Sequence, residues 1–164
     1  MIRELGQPGD LGWVIKAHGE LYAAEHGWDT TFEALVARIV ADYAGDHDPA
    51  RENAWIAEAD GRRVGCVFCV DGREDVDGRD DTAVLRILLV DPAARGHGIG
   101  RQLVDTCVGF ARRAGYRRMR LWTNDPLVAA RRIYLKAGFQ LTTEEPHHSF
   151  GADLIGQTYE LALR

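Results

Sequence analysis

One segment constrains this chain more than any other: Arg95-Gly96-His97-Gly98-Ile99-Gly100-Arg101, set between an apolar run and an amphipathic stretch. The run before it, Thr82 to Val90, has Arg86 as its only charge and reads as a central strand buried on both faces, closed by Pro92. The stretch after it, Gly98 to Ala114, sets Ile99, Leu103, Val104, Cys107, Val108 and Ala111 at helical spacing and stops at Gly115. Alternating glycines let the backbone turn tightly and approach a ligand, and they leave N–H groups facing outward at a helix start. That arrangement suits a phosphate. A Walker A loop is excluded, because Arg101-Gln102 follows Gly100 where Lys-Ser/Thr is needed. A dinucleotide fingerprint is excluded too: its third glycine would fall on Arg101, and the later strand ends Trp122-Thr123-Asn124 without a ribose-binding acid. A glycine-rich turn with no ligand is the alternative for the loop alone.

The rest of the chain supplies the frame. With 164 residues, 46% hydrophobic and 27% charged, residues 1–164 read as a single domain with a real core. Asp10 to Glu25 reads as a helix with Leu11, Val14, Ile15, His18, Leu21 and Tyr22 on one face and Asp10 as N-cap, and Thr30 to Tyr43 as a second whose Thr30–Glu33 start resembles a capping box. Trp55–Ala59 and Arg63–Val70 form a hairpin about Asp60-Gly61, and Asp71 to Asp81 reads as an acidic loop. Strand Met119–Thr123, helix Leu127–Ala137, strand Phe139–Thr143 and strand Gln157–Leu163 follow, so the class is α+β with a parallel pairing at its centre.

Cys66-Val67-Phe68-Cys69 has metal-ligand spacing, but on a strand its two thiols face opposite sides and no second pair exists, so no metal site is expected. No run nears the roughly 20 apolar residues of a membrane span. Met1-Ile2-Arg3-Glu4 meets Gly6 and Pro8 before a leader's apolar core could form, and three cysteines give no disulfide framework; the expectation is a soluble cytoplasmic protein. Residues 91–140 hold nine arginines and one lysine against three aspartates, a local +7 that leaves −12 for the rest of a chain of net charge −5. That asymmetry predicts a polyanion site beside an acidic wall suited to a cation.

Two blocks carry a family resemblance. Val90-Asp91-Pro92-Ala93-Ala94-Arg95-Gly96-His97-Gly98-Ile99-Gly100-Arg101-Gln102-Leu103 is similar to the Arg/Gln-x-x-Gly-x-Gly/Ala signature of the GNAT N-acetyltransferase superfamily. Leu121-Trp122-Thr123-Asn124, Ala129-Ala130-Arg131-Arg132-Ile133-Tyr134 and Gly138-Phe139 resemble its second block, and the tail Glu144–Gly151 with Gln157 and Tyr159 resembles acetyltransferase domains fused behind MarR-type winged helices; no winged helix lies within these residues. The resemblance implies the GNAT acyl-CoA N-acyltransferase fold: a mixed, mostly antiparallel sheet with a central splayed parallel strand pair and about four helices.

It also implies an acyltransferase of the EC 2.3.1 type that moves acetyl from acetyl-CoA to a primary amine by direct attack in a ternary complex, with no metal. Cofactor contacts would come from Leu88, Leu89 and Val90, from the loop residues Arg95, Gly96, His97, Gly98, Ile99, Gly100 and Arg101, and from Asn124 and Arg131. The Leu88 N–H would polarise the thioester carbonyl. Tyr134 would protonate the departing thiolate, a match of two groups of similar basicity; a buried core aromatic is its other reading.

The acceptor side is less determined. Candidate bases are Glu25, Asp29, Glu58, His147, His148 or a water relay, with Glu25 first because it neighbours Tyr22, His26 and Trp28. Tyr22, Trp28, Arg86, Trp122 and His148 are the candidate substrate contacts; Arg86, charged within a buried strand, needs an acid or a substrate carboxylate. Residues Glu144–His148 read as a loop supplying acceptor contacts. A small-molecule amine and a protein or peptide amine both stay open, as does a homodimer; nucleic acid and membrane partners are not expected. The alternative function is a non-catalytic acyl-CoA sensor or regulatory module.

Overall fold

The computed structural model describes residues 1–72 and 81–164; the acidic loop expected at Asp71 to Asp81 lies largely outside them. The described elements run β1 (Ile2–Glu4), α1 (Asp10–His26), α2 (Thr30–Gly45), β2 (Asn53–Ala59), β3 (Arg62–Asp71), β4 (Thr82–Val90), a 3-10 turn at Pro92–Ala94, α3 (Ile99–Ala114), β5 (Arg118–Asn124), α4 (Val128–Lys136), β6 (Gln140–Ser149) and β7 (Ala152–Ala162). The strands form one sheet in the order β1-β2-β3-β4-β5-β7-β6. Only β4 and β5 pair in parallel; the described neighbours otherwise run antiparallel. The expected α+β class with a central parallel pair and four helices is what the chain forms.

Alternation along the strands divides the core in two. Val67, Leu85, Met119, Leu121 and Tyr159 face Leu103, Val104 and Cys107 of α3, whereas Ile56, Cys66, Phe68 and Leu89 face Val14, Val36 and Val40 of α1 and α2. Cys66 and Cys69 therefore sit on opposite faces, buried and free, as a three-residue spacing on a strand requires.

The sheet splits at its centre. The β4–β5 ladder runs from Thr82↔Arg118 to Leu85↔Leu121 and then ends, while β4 stays paired with β3 through Val90↔Gly65 and β5 with β7 through Asn124↔Gly156. A bulge lies at the parting: Cys66 opposes Leu89 and Phe68 opposes Arg86, so Ile87 and Leu88 together oppose Val67. Ile87 has φ +46, a left-handed conformation that a β-branched residue adopts at a cost of roughly 1–2 kcal/mol. From the α1/α2 side the buried Cys66 thiol donates to the Ile87 carbonyl at 3.3 Å.

Three sequence expectations change. Glu144–His148 belong to β6, not to a loop, because β6 pairs with β7 over its length about a Phe150-Gly151 turn with φ of 59 and 79. Pro146 is tolerated there because β6 is the sheet's edge. Helix α2 is capped by Asp29, which accepts from the Thr31 N–H at 3.0 Å, rather than by a Thr30 box. Helix α1 starts at Asp10 itself, behind Gly9, and the Asp10 carboxylate serves elsewhere.

Fully buried, Asp10 accepts both Arg3 Nη atoms at 2.9 Å, Arg63 Nε at 2.8 Å, and the Gly6 and Gln7 N–H groups at 2.9 and 2.8 Å. These donors, Arg3 foremost, hold its carboxyl far below the usual range against the opposing effect of burial. Its contribution is then complete above an unfolded-state pKa near 4 and disappears as pH falls below it. Asp10→Ala should cost about 3–5 kcal/mol in urea unfolding at pH 7 by stranding two guanidiniums, and the cost should shrink below pH ~4; equal stability of the two proteins at pH 7 would contradict this role.

Candidate active site

The loop between β4 and α3 is built by local rules. Asp91 caps the turn by accepting from the Ala93 N–H at 2.8 Å, and Gly96 and Gly98 take φ of 86 and 78, where a Cβ is strained. Gly98 is the N-cap of α3 and has no side chain with which to cap it, so the N–H groups of the first turn are left without a side-chain cap. A Cβ on Gly100 would lie 2.7 Å from Ile133 Cδ1 of α4. The loop borders a cavity of about 440 Å³ that also touches Leu88–Val90, Glu25, Arg101 and Arg132.

A second cavity of about 440 Å³ opens on the α1/α2 side, between β4 and β5 where they part, and shares Tyr22, Leu88, Leu127 and Ala130 with the first. Its aromatic wall is assembled from distant segments. His18 and Tyr22, four residues apart on α1, stack at 5.9 Å; Gly27 in a left-handed conformation returns the chain so that Trp28 stacks on Tyr22 at 5.3 Å. Phe32 of α2 and Phe150 of the β6–β7 turn close the wall, 4.9 and 5.0 Å from Trp28, and the Asp29 N–H donates to the Phe150 carbonyl at 3.0 Å. Arg86 and Arg120 also line this cavity, and among the described residues no carboxylate does. The described residues therefore do not form there the acidic acceptor wall expected from the charge distribution.

Tyr134 of α4 lines the second cavity, 5% exposed, and its hydroxyl has no protein partner among the described residues. Burial pushes its phenol and that of Tyr22 well above the ordinary value, so both stay protonated donors. His18 is the opposite case. Its Nδ1 lies 2.7 Å from the Val14 carbonyl, which fixes the proton on Nδ1; its Nε2 is buried without a protein partner, and burial lowers the imidazole to about 4. It is a neutral acceptor on the cavity wall.

The structure brings Leu88, Leu89, Val90, Arg95, Gly96, Gly98, Ile99, Gly100 and Arg101 to the first cavity, and Tyr22, Trp28, Arg86, Leu88, Trp122, Asn124 and Tyr134 to the second. Glu25 sits on the first, binding Arg95 through both oxygens at 2.8 and 3.3 Å. Four expected contacts lie elsewhere. Arg131 turns inward to the Asp125 carbonyl at 2.9 Å and Arg132 takes the cavity edge; His97 folds back on the Arg95 carbonyl at 3.1 Å; His148 pairs with Asp153 at the exposed edge of β6; and Glu58 pairs with Arg3. His147, not His148, reaches the site, with Nε2 2.7 Å from Asn124 Oδ1. His18, Phe32, Arg120 and Phe150 were not legible as site residues, although a histidine on the buried face of α1 four residues before Tyr22 was a signal.

Residues 14–139 match the model of the acetyltransferase (GNAT) family. N-acetyltransferase 8F1 of Rattus norvegicus is 31% identical over 121 residues, 74% of this chain and 54% of that protein, so the chain spans about half the length of the curated relatives it matches. Among solved structures, yncA of Salmonella typhimurium with its cofactor acetyl-CoA superposes with a TM-score of 0.76 at 22% identity, covering 100% of this chain and 94% of that one. Ribosomal-protein-alanine N-acetyltransferase from Brucella melitensis gives 0.78 at 19% identity and 99% of each chain. At these identities the two superpositions establish the fold.

The depressed His18 means that the unfolded state binds more protons between pH 6.5 and 4, so stability should fall through that window as pH drops, by roughly 3 kcal/mol from this group. Urea unfolding of His18→Gln should lack that loss; an unchanged slope between pH 6.5 and 4 would contradict a neutral, buried His18.

Proposed function

The chain belongs to the acetyltransferase (GNAT) family, and on that premise we propose that it transfers the acetyl group of acetyl-CoA to a primary amine by direct attack in a ternary complex. The observation that carries this reading is the parting of β4 from β5 after Leu85 and Leu121, beside which lie two adjoining cavities, here called the slot, that share Tyr22, Leu88, Leu127 and Ala130 between the glycine loop and the aromatic wall. The residues fit the donor. The uncapped start of α3, the Cβ-free backbone at Gly96, Gly98 and Gly100, and Arg95, Arg101 and Arg132 suit a diphosphate. When bound, acetyl-CoA supplies the thioester carbon that is attacked.

The chain's own groups do the rest. The β4 edge at Leu88–Val90 takes the pantetheine arm as an added strand, with Asn124, steadied by His147, on its amide. The Leu88 N–H, turned by the bulge, hydrogen-bonds the thioester oxygen as negative charge develops there. The acceptor attacks as a neutral amine; its extra proton is already in solvent. A C–N bond forms, the C–S bond breaks, and one nitrogen-bound proton finishes on the CoA sulfur, delivered by the Tyr134 hydroxyl, which recovers a proton from the amine side. No carboxylate among the described residues lines that cavity, which supports water as the proton acceptor in place of Glu25. The three free buried cysteines support a cytoplasmic setting for this activity.

Thiol release and calorimetry separate the roles. Tyr134→Phe should lower kcat about 100-fold with acetyl-CoA affinity unchanged, whereas Gly98→Val should weaken acetyl-CoA binding at least ~10-fold by forcing a β-branched residue to φ +78. Full turnover in the first, or full affinity in the second, would overturn the assignment.

A further inference from the structure

The acceptor cavity has a composition that the charge of the chain does not foreshadow. It offers guanidinium donors from Arg86 and Arg120, an aromatic cage of Tyr22, Trp28, Phe32 and Phe150, the neutral acceptor His18 Nε2, and no carboxylate among the described residues. The two arginines lie on the adjacent strands β4 and β5, close to where those strands part, and the cage lies across the cavity from the sheet. We infer that the acceptor is a small amine that also carries a carboxylate on an apolar body, as in an amino acid with an apolar side chain. This rests on the acetyl-transfer reading above and names its substrate class.

Three physical arguments carry it. A guanidinium presents five N–H donors in a planar fork matched to a carboxylate, so a partner elsewhere does not exhaust it; Arg120 binds Glu160 Oε1 through Nε at 3.0 Å and Nη2 at 2.7 Å, which leaves Nη1 outside that pair. The cage gives an apolar side chain flat, stiff surfaces, its rings packed on one another at 4.8–5.3 Å between centroids. His18 Nε2, able only to accept, then suits an amine N–H.

The test pairs each amino acid with its decarboxylated counterpart: phenylalanine with phenethylamine and leucine with isoamylamine, alongside spermidine and a lysine-containing peptide. Thiol release reports turnover, and quenching of Trp28 and Trp122 fluorescence in the CoA complex reports binding without chemistry. We expect kcat/KM at least 10-fold higher for the carboxylated member of each pair, and at least 5-fold losses for that member alone in Arg120→Met and in Arg86→Met. Preference for the decarboxylated amine, spermidine or the peptide, with brisk thiol release, overturns the acceptor class and leaves acetyl transfer standing. Preferential binding of the amino acid with no thiol released supports the acceptor class and overturns the transfer reading. Neither binding nor turnover of either amino acid overturns the acceptor class.

Discussion

Hydrogen bonding between β4 and β5 stops after Leu85 and Leu121, and both candidate subsites depend on that interruption. Continuous pairing would satisfy the β4 edge and close the slot. What keeps the strands apart is local: two residues, Ile87 and Leu88, stand opposite one on β3, and Ile87 holds a left-handed backbone that an isoleucine adopts only under constraint. The Cys66 thiol bound to the Ile87 carbonyl, and the packing of Cys66 and Leu89 beneath α1 and α2, supply that constraint.

The two ends of the slot solve different recognition problems. At the glycine loop the donors are backbone N–H groups backed by arginines, an arrangement whose charge comes from the basic segment 91–140. At the other end the candidate contacts are side chains, and they come from three places far apart in sequence: α1, the start of α2, and the β6–β7 turn. The Asp29–Phe150 backbone bond ties the last of these to the first two. Glu25 and Arg95 link the ends, joining the last turn of α1 to the loop.

How far the sequence revealed this follows from the range of the interactions involved. Period and punctuation read well: β4 was legible with its bounds, as were the glycine loop, α3 and its Gly115 stop, because each is specified by neighbours within a turn or a strand. β1 was not, since three residues have no pattern and are held by pairing with β2. Extension of β6 past Pro146 escaped notice because edge position, which makes a strand proline harmless, is a property of the sheet. The lining of the first cavity was legible where backbone geometry decides it, but Arg131 and Arg132, adjacent on a helix, differ only in which one faces that cavity. The acceptor side was least legible. Net charge counts acids over the whole chain, and several of the described ones are engaged elsewhere: Glu25 on Arg95, Asp10 and Glu58 on Arg3, Asp153 on His148.

The central claim, that the β4 edge beyond the bulge is the surface on which an acyl-CoA is laid as an added strand, is tested most directly by amide hydrogen exchange of β4 with and without acetyl-CoA. The account predicts that exchange at Leu88 and Val90 slows at least ~10-fold on saturation while amides of Thr82 to Leu85, already within the β4–β5 ladder, change little. Saturable binding with unaltered exchange at Leu88 and Val90 would contradict it.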